Sequence, residues 1–188
     1  MQKLEKICHQ FHLSLQSACT ETLKRMNRRY SIEEFKEITE KIRRVYKDAI
    51  LTTDIIVGFP GETEEEFKTT YENLKQINFY KMHVFKYSPR KWTKAAEMEN
   101  QIDGSLKEKR SKILIELSNK NEEAYQKEYI GRKVKVLFEE KKNGEYVGHT
   151  ANYIMVKVKS KKDITNKILD IKIMGISGLE MIGEIIDK

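Results

Sequence analysis

Three short stretches of this chain carry groups able to hold a ligand, and each follows an apolar, β-rich run. Gln16 and Ser17 follow FHLSL. Gly58-Phe59-Pro60-Gly61-Glu62 follows ILTTDIIV. Ser88, Pro89 and Arg90 end KMHVFKYSPR. In βα architectures ligands sit beyond the C-terminal ends of the strands, so three polar sets at equivalent places converge on one rim if the strands are neighbours. Taken singly, each set fits a solvated loop as well. GFPGE is the sharpest of them. Gly58 and Gly61 allow backbone conformations and close approaches that a Cβ blocks. The helix that follows offers free N–H groups at its start. Glu64, Glu65 and Glu66 already complement that positive helix end, which disfavours a phosphate there. A neutral or cationic ligand, or backbone hydrogen bonding to a base or ribose, fits better. The alternative is a tight strand-to-helix turn capped by Thr63.

Other chemistry is sparser. Arg90-Lys91-Trp92-Thr93-Lys94 is a basic loop with one large aromatic, suited to nucleic acid by charge and stacking, or simply exposed. In the last third Lys157, Lys159, Lys161, Lys162, Lys167 and Lys172 cluster near Tyr146, His149 and Tyr153. A basic face with interleaved aromatics suits RNA; lysines guarding strand edges against aggregation are the competing reading. The histidines His9, His12, His83 and His149 are scattered, with no pair at metal-ligand spacing. His83 alternates with apolar neighbours and reads as packed or hydrogen-bonded. Cys8 and Cys19 form no CxxC and read as free thiols in a reducing compartment. No nucleophile–base set is evident, so the catalytic residues are unassigned and no metal ligands are expected.

The elements that must position these residues are legible from periodicity. FHLSL (11–15), ILTTDIIVGF (50–59) and KMHVFKYS (81–88) read as strands. The second is apolar enough at its end to be covered on both faces. Helices are expected from Thr20 to about Arg29, after the capping box Ser31-x-x-Glu34, after Thr63-x-x-Glu66, and after Ser105-x-x-Glu108 to about Lys127. Ile32, Phe35, Ile38, Ile42 and Val45 form a one-face stripe on the second helix. This β-α-β-α-β-loop-α order implies a parallel sheet. From about residue 128 the pattern changes to short β-rich runs, with Asn143-Gly144 as a hairpin signal and glycines between the others. A small barrel or sandwich follows. Three parallel strands leave open edges and cannot close a (β/α) barrel: either part of the sheet is supplied from elsewhere, which is the reading taken, or the fold is a small open one.

Bulk properties agree with a soluble, cytoplasmic protein. Hydrophobic residues make up 39% and charged residues 35%, and no apolar run approaches the length of a membrane span. The start, MQKLEKICHQ, lacks the apolar core of a leader. The net charge of +7, densest in the last third, leans toward a polyanionic partner.

These same residues, FHLSLQS, ETLKRMNRRY, TTDIIVGFPGETEEEF and FKYSPR-x-x-TKAA, closely resemble the radical-SAM tRNA methylthiotransferases of the MiaB/MtaB/RimO type. The tail, YIGRKVKVLFEE through GHTANYIMVKV to MIGEII, resembles the TRAM domain that ends those enzymes. The resemblance implies an α/β fold. Residues 1–127 would be the C-terminal half of a radical-SAM partial (β/α) barrel, and 128–188 a TRAM RNA-binding, OB-like β-barrel. It implies S-adenosylmethionine and [4Fe–4S] clusters as cofactors, with the CxxxCxxC cluster ligands absent from this chain. It implies tRNA and the missing N-terminal part of the enzyme as partners, and no membrane. Within the family the pattern is most similar to the MtaB branch, which adds a methylthio group to N6-threonylcarbamoyladenosine beside the anticodon. Carried over by position, Gln16 and Ser17 fall at ribose or methionine contacts of S-adenosylmethionine. Ile56, Val57, Gly58 and Gly61 fall where adenine packs, and Phe85, Tyr87, Ser88 and Arg90 on the rim. Lys91, Lys94, Lys157, Lys159, Lys161, Lys162 and Tyr153 are the expected RNA contacts. Ala18 and Trp92 stand where the family usually has glycine. The fragment would be inactive alone; a stand-alone RNA-binding module without chemistry is the alternative.

Overall fold

The computed structural model describes residues 7–186; the first residues of MQKLEKICHQ, and with them most of the stretch read for a leader, lie outside them. The described residues divide into two compact units. One is Phe11–Lys47 with Leu51–Asn121; the other is Glu122 onward with residues 7–10 and Asp48–Ile50.

In the first unit β1 (Gln10–His12), β2 (Ile50–Val57) and β3 (Lys81–Lys86) form a sheet in that order. β2 and β3 run parallel, with Asp54 opposite His83 and Ile56 opposite Phe85. Helices α1 (Thr20–Arg25) and α2 (Ile32–Val45) lie between β1 and β2 in the chain, and α3 (Glu64–Ile77) between β2 and β3. After β3 come the single turn α4 (Lys94–Glu97) and the long α5 (Gly104–Lys127). The two capping boxes at Ser31/Glu34 and Thr63/Glu66 are both formed, each side chain answering the other's backbone N–H. Leu51, Ile55 and Val57 of β2 and Met82 of β3 are buried, with Leu15, Leu23, Phe67, Leu74, Phe79 and Leu114 in the same core. Ser118 of α5 accepts the Met82 N–H at 2.9 Å, and Asn121 donates to the Phe79 carbonyl at 2.9 Å, which ties α5 to β3 and the turn before it.

Several local expectations are corrected. β2 is not covered on both faces: Asp54 and Ile56 are half-buried, and His12, His83 and Phe85 beside them are exposed. His83 is therefore not packed in a core. α1 ends at Arg25 rather than Arg29, because Asn27 takes a left-handed φ of 57°. The start of α5 is capped by Asp103, whose Oδ1 accepts the Ser105 N–H at 2.8 Å, so Ser105 is not the cap of a third box. Only part of the α2 stripe is used, since Ile38 and Val45 are exposed. The loop after β3 holds the turn α4, capped by Thr93.

The turn from β2 into α3 is built around two left-handed glycines, Gly58 (φ 70°) and Gly61 (φ 76°). The Gly58 N–H donates to Glu62 Oε1 at 3.1 Å, and the Gly61 N–H to the Asn100 carbonyl at 2.9 Å. A Cβ on Gly58 would lie 2.4 Å from Lys107 Cγ, and one on Gly61 3.4 Å from Arg25 Nε. The glycines thus make the turn and admit side chains from α5 and α1 against it. Glu62 is buried and takes Arg110 Nη1 of α5 at 2.6 Å; the same nitrogen also donates to the Glu62 carbonyl at 3.0 Å. Arg110 lies over the Phe67 ring at 5.1 Å. Burial pushes the Glu62 carboxyl up, against the opposing pull of the Gly58 N–H and Arg110. Nearby, Arg25 holds Glu66 with a forked pair of hydrogen bonds and donates through Nε to the Pro60 carbonyl at 3.2 Å.

The second unit holds β4 (Lys133–Lys142), β5 (Glu145–Thr150), β6 (Met155–Val158), β7 (Ile168–Ser177) and β8 (Glu180–Ile185), closed into a barrel in the order β4-β5-β6-β8-β7. All neighbours are antiparallel except β6 and β8. Asn143 and Gly144, both left-handed, join Lys142 to Glu145 in a two-residue hairpin. Val136, Phe138, Val156, Val158, Ile171, Ile173 and Met181 fill the interior.

Two outcomes follow for stability. Arg110→Met leaves the Glu62 carboxylate buried without its cation and should cost about 3–5 kcal/mol in urea unfolding, most of it recovered by adding Glu62→Leu. Hydrogen bonding to Arg25 holds Glu66 below the usual carboxylate range, so its contribution is complete above the unfolded pKa and is lost as pH falls through the lowered folded value. The stability difference between the protein and Glu66→Gln should therefore shrink on acidification from about pH 6 to about pH 3, measured by denaturant unfolding at each pH.

Candidate ligand cavity and nucleic-acid surface

Beyond the C-terminal ends of the three strands lies one cavity of about 500 Å3, within the size range of small-molecule sites. Gln16, Ile56, Phe85, Ser88 and Arg90 line it, joined by Asp54, Lys86, Tyr87, Thr93 and Ala95. Gln16 reaches it through a local irregularity. Leu13 N–H bonds the Thr52 carbonyl and Gln16 N–H the Asp54 carbonyl, so the β1 side carries one residue more than β2 over that span. Gln16 absorbs the excess with a left-handed φ of 71°.

Asp54 is the one carboxylate in the lining. His12 sits beside it, with Nε2 3.2 Å from Asp54 Oδ2 and Nδ1 3.0 Å from Thr52 Oγ1. The His83 ring is 6.0 Å from that of His12. Tyr87 stands edge-on to Phe59 at 5.2 Å, and its carbonyl accepts from Lys107 Nζ at 3.2 Å. The Tyr87 hydroxyl is buried with no hydrogen-bond partner among the described residues. Lys86 is engaged by Glu108 at 2.7 Å, whereas Arg90 is exposed on the rim. The cavity therefore offers a carboxylate, an amide, a hydroxyl and a guanidinium around the apolar faces of Ile56 and Phe85. That set is chemically suited to a ligand with hydrogen-bond donors and an acidic group; among its lining residues no nucleophile is held against a base.

The remaining expected cofactor contacts lie elsewhere. Ser17 is buried, 3.4 Å from Thr70 Oγ1, and accepts the Cys19 N–H at 3.3 Å. Val57 is in the core, and Gly58 and Gly61 form the turn. Asp54 escaped the sequence reading, although an acid inside an otherwise apolar strand run is the signal that could have found it. Cys8 is exposed and Cys19 buried. A [4Fe–4S] cluster is held chiefly by cysteine thiolates, and these two do not supply a set. Among the described residues no group of three or more His, Cys, Asp or Glu could hold a metal ion.

The expected RNA contacts fall on both units. Lys91 and Lys94 are exposed on the loop after β3. Between them Trp92 is 95% exposed and left-handed, with φ 68°. On the barrel Lys157 is paired with Glu180, and Lys159 lies 4.0 Å from Glu145. Lys161 and Lys162 are exposed, with no carboxylate partner among the described residues. Tyr153 is 61% exposed, and its ring lies flat on His149 with centroids 4.4 Å apart and planes at 9°. His149 Nδ1 is in turn held by Glu139. Because the barrel is closed, its strands present no free edges of the kind that lysines guard.

Comparison with known proteins bears on both units. Residues 1–74 match the radical SAM superfamily. The chain is 38% identical over 187 residues to the tRNA-2-methylthio-N(6)-dimethylallyladenosine synthase of Aquifex aeolicus, covering 100% of this chain and 42% of that protein. It is 37% identical over 179 residues to the threonylcarbamoyladenosine tRNA methylthiotransferase MtaB of Bacillus subtilis, covering 93% of this chain and 40% of that one. In fold it is similar to coproporphyrinogen III oxidase of Escherichia coli, a radical SAM enzyme, with a TM-score of 0.52 at 14% identity, covering 76% of this chain and 39% of that one. By sequence, then, the chain is a relative of the radical-SAM tRNA methylthiotransferases, matched along its length and spanning about two fifths of theirs.

Proposed function

We propose that this chain is the C-terminal portion of a tRNA methylthiotransferase, contributing one wall of the S-adenosylmethionine pocket and an RNA-binding barrel of the TRAM kind. The observation that carries the reading is the cavity, where Gln16, Ile56, Phe85, Ser88 and Arg90 meet from three separate strand ends. When bound, S-adenosylmethionine would supply the radical and methyl chemistry of such an enzyme. Here the chain's own part is to hold the molecule: Ile56 and Phe85 offer apolar faces, and Gln16, Asp54, Ser88 and Arg90 offer polar contacts. Two cysteines cannot hold a [4Fe–4S] cluster, so in this reading the cluster comes from the preceding part of the enzyme, and the chain alone is inactive. The substrate is N6-threonylcarbamoyladenosine, taken from the resemblance of LSLQS, ETLKRMNRRY and FKYSPR to the MtaB branch. The two methylthiotransferase relatives divide between that nucleoside and the dimethylallyl one.

A stand-alone RNA-binding module is favoured by a specific observation, the exposed lysines and flat aromatic stack on a barrel that folds around its own core. Nucleoside mass spectrometry of tRNA separates the readings. Disrupting the reading frame that holds this chain should abolish 2-methylthio-N6-threonylcarbamoyladenosine and leave the unmethylthiolated nucleoside to accumulate. Loss of the dimethylallyl-type product instead would overturn the substrate assignment, and no change in either would favour the module without chemistry.

The RNA-binding part has its own test. Replacing Lys159, Lys161 and Lys162 by Gln should weaken tRNA retardation and lower the slope of log affinity against log salt by about 1 for each phosphate no longer neutralised. An unchanged slope would remove the lysines from the interface.

A further inference from the structure

We infer that Trp92 is a stacking finger for an unpaired RNA base at the mouth of the cavity, an inference that rests on the RNA-binding reading above. Three features of the loop lead to it. First, Trp92 is 95% exposed, the most exposed of the large hydrophobic residues described, so its indole contributes nothing to the core. Leaving so much apolar surface in water forfeits the burial that ordinarily stabilises an aromatic side chain. Second, its backbone is left-handed, with φ 68°, a conformation unfavourable for a bulky residue. Glycine would relieve that strain and remove the exposed ring together. Third, the loop is locally pinned. Thr93 Oγ1 donates to the Arg90 carbonyl at 2.8 Å and accepts the Ala96 N–H at 3.3 Å, and Gln101 donates to the Ala95 and Met98 carbonyls at 3.0 Å each.

The surroundings select the ligand class. Arg90, Thr93 and Ala95, on either side of Trp92, line the cavity, so the indole is carried at its rim. Lys91 and Lys94 flank it and are exposed. An aromatic face set between cations is the arrangement that holds a single-stranded backbone by charge and a base by its π-face. A double helix keeps its bases stacked and offers that face nothing. An enzyme that acts on one nucleoside must present it unstacked, and a finger at the rim would hold that base or its neighbour while the cavity is filled. An apolar protein partner would want an aliphatic surround rather than a lysine on each side.

Trp92 is the single tryptophan of the chain, so its fluorescence reports the site alone. The experiment titrates the full chain with a fluorescein-labelled single-stranded oligoribonucleotide and follows both anisotropy and indole emission. An abasic oligomer of equal length and charge serves as the control. Base-bearing RNA should quench the indole and the abasic oligomer should not. Trp92→Gly should weaken binding of the base-bearing strand by about 5- to 100-fold, with Trp92→Phe close to the parent, and should leave abasic and duplex binding unchanged. Binding seen by anisotropy with no change in emission, or equal affinity of Trp92→Gly, overturns the finger and leaves RNA binding standing. Absence of binding to any RNA at low salt overturns the RNA-binding reading and the finger with it. Thermal unfolding of Trp92→Gly at or above the parent's temperature guards against a folding defect, and the emission readout needs no variant.

Discussion

The buried pairing of Glu62 with Arg110 is the contact on which the geometry of the first unit depends. Glu62 stands in the turn that ends β2, and Arg110 stands one helical turn or more inside α5. One carboxylate accepts the Gly58 N–H and the Arg110 guanidinium together, and Arg110 also reaches the Glu62 carbonyl. Both side chains are almost wholly removed from water. A buried ion pair of this kind adds little net stability over an apolar pair, but it is strongly directional, and a mispaired charge is costly. Its use here is to hold α5 in one register against the turn. From that register follow the close passage of Lys107 beneath Gly58 and its bond to the Tyr87 carbonyl on the cavity wall. Two glycines crowd this strand end for a steric reason: side chains from α1 and α5 lie where Cβ atoms would otherwise stand.

The open face of the sheet is the second constraint. Helices bury one side of β2 through Leu51, Ile55 and Val57, and the other side carries His12, Asp54, His83 and Phe85 in partial contact with water. Ionisable groups in the middle of a strand are tolerable only on such a face. The cavity is the upper end of it, where Asp54 and Ile56 meet the loop after β3. The chain spans about two fifths of the length of its methylthiotransferase relatives. The barrel unit has no open face of this kind. Its strands satisfy one another around a closed ring, so its basic residues and the His149–Tyr153 stack stand on a finished surface.

What could be read from sequence followed local rules. The capping boxes at Ser31 and Thr63, the Asn143-Gly144 hairpin and the end of α5 near Lys127 each depend on a few neighbouring residues, and each took the expected form; the parallel β2–β3 pair followed from the strand–helix–strand order. The meeting of Gln16, Ser88 and Arg90 was also legible, because parallel strands place equivalent ends on one side; Ile56 and Phe85 were expected from the family resemblance alone, and the GFPGE turn does not line the cavity. Where reading failed, the rest of the molecule had intervened. Ser105 looked like a cap, yet Asp103 lies nearer the first free N–H groups and took the role. Ile38 and Val45 kept helical period with Ile32 and Phe35, but no described element covers them. Ser17 carries the right chemistry for a ligand, yet it is engaged by Thr70 and Cys19.

By itself, the sequence determined the order of the main strands and helices though not their ends (the strand expected over 11–15 is Gln10–His12), where the glycines must bend the chain, and that its relatives are tRNA methylthiotransferases; these rest on backbone preference, periodicity and residue pattern. Only the tertiary structure decided which polar residues share a space. It put Asp54 in the cavity and Gly58 under Lys107, closed the tail into a barrel rather than a sandwich, and left Trp92 outside any core. The physical reason is that burial, ion pairing and side-chain interpenetration are set by residues far apart in the chain, and their partners exist only once the strands have been brought together.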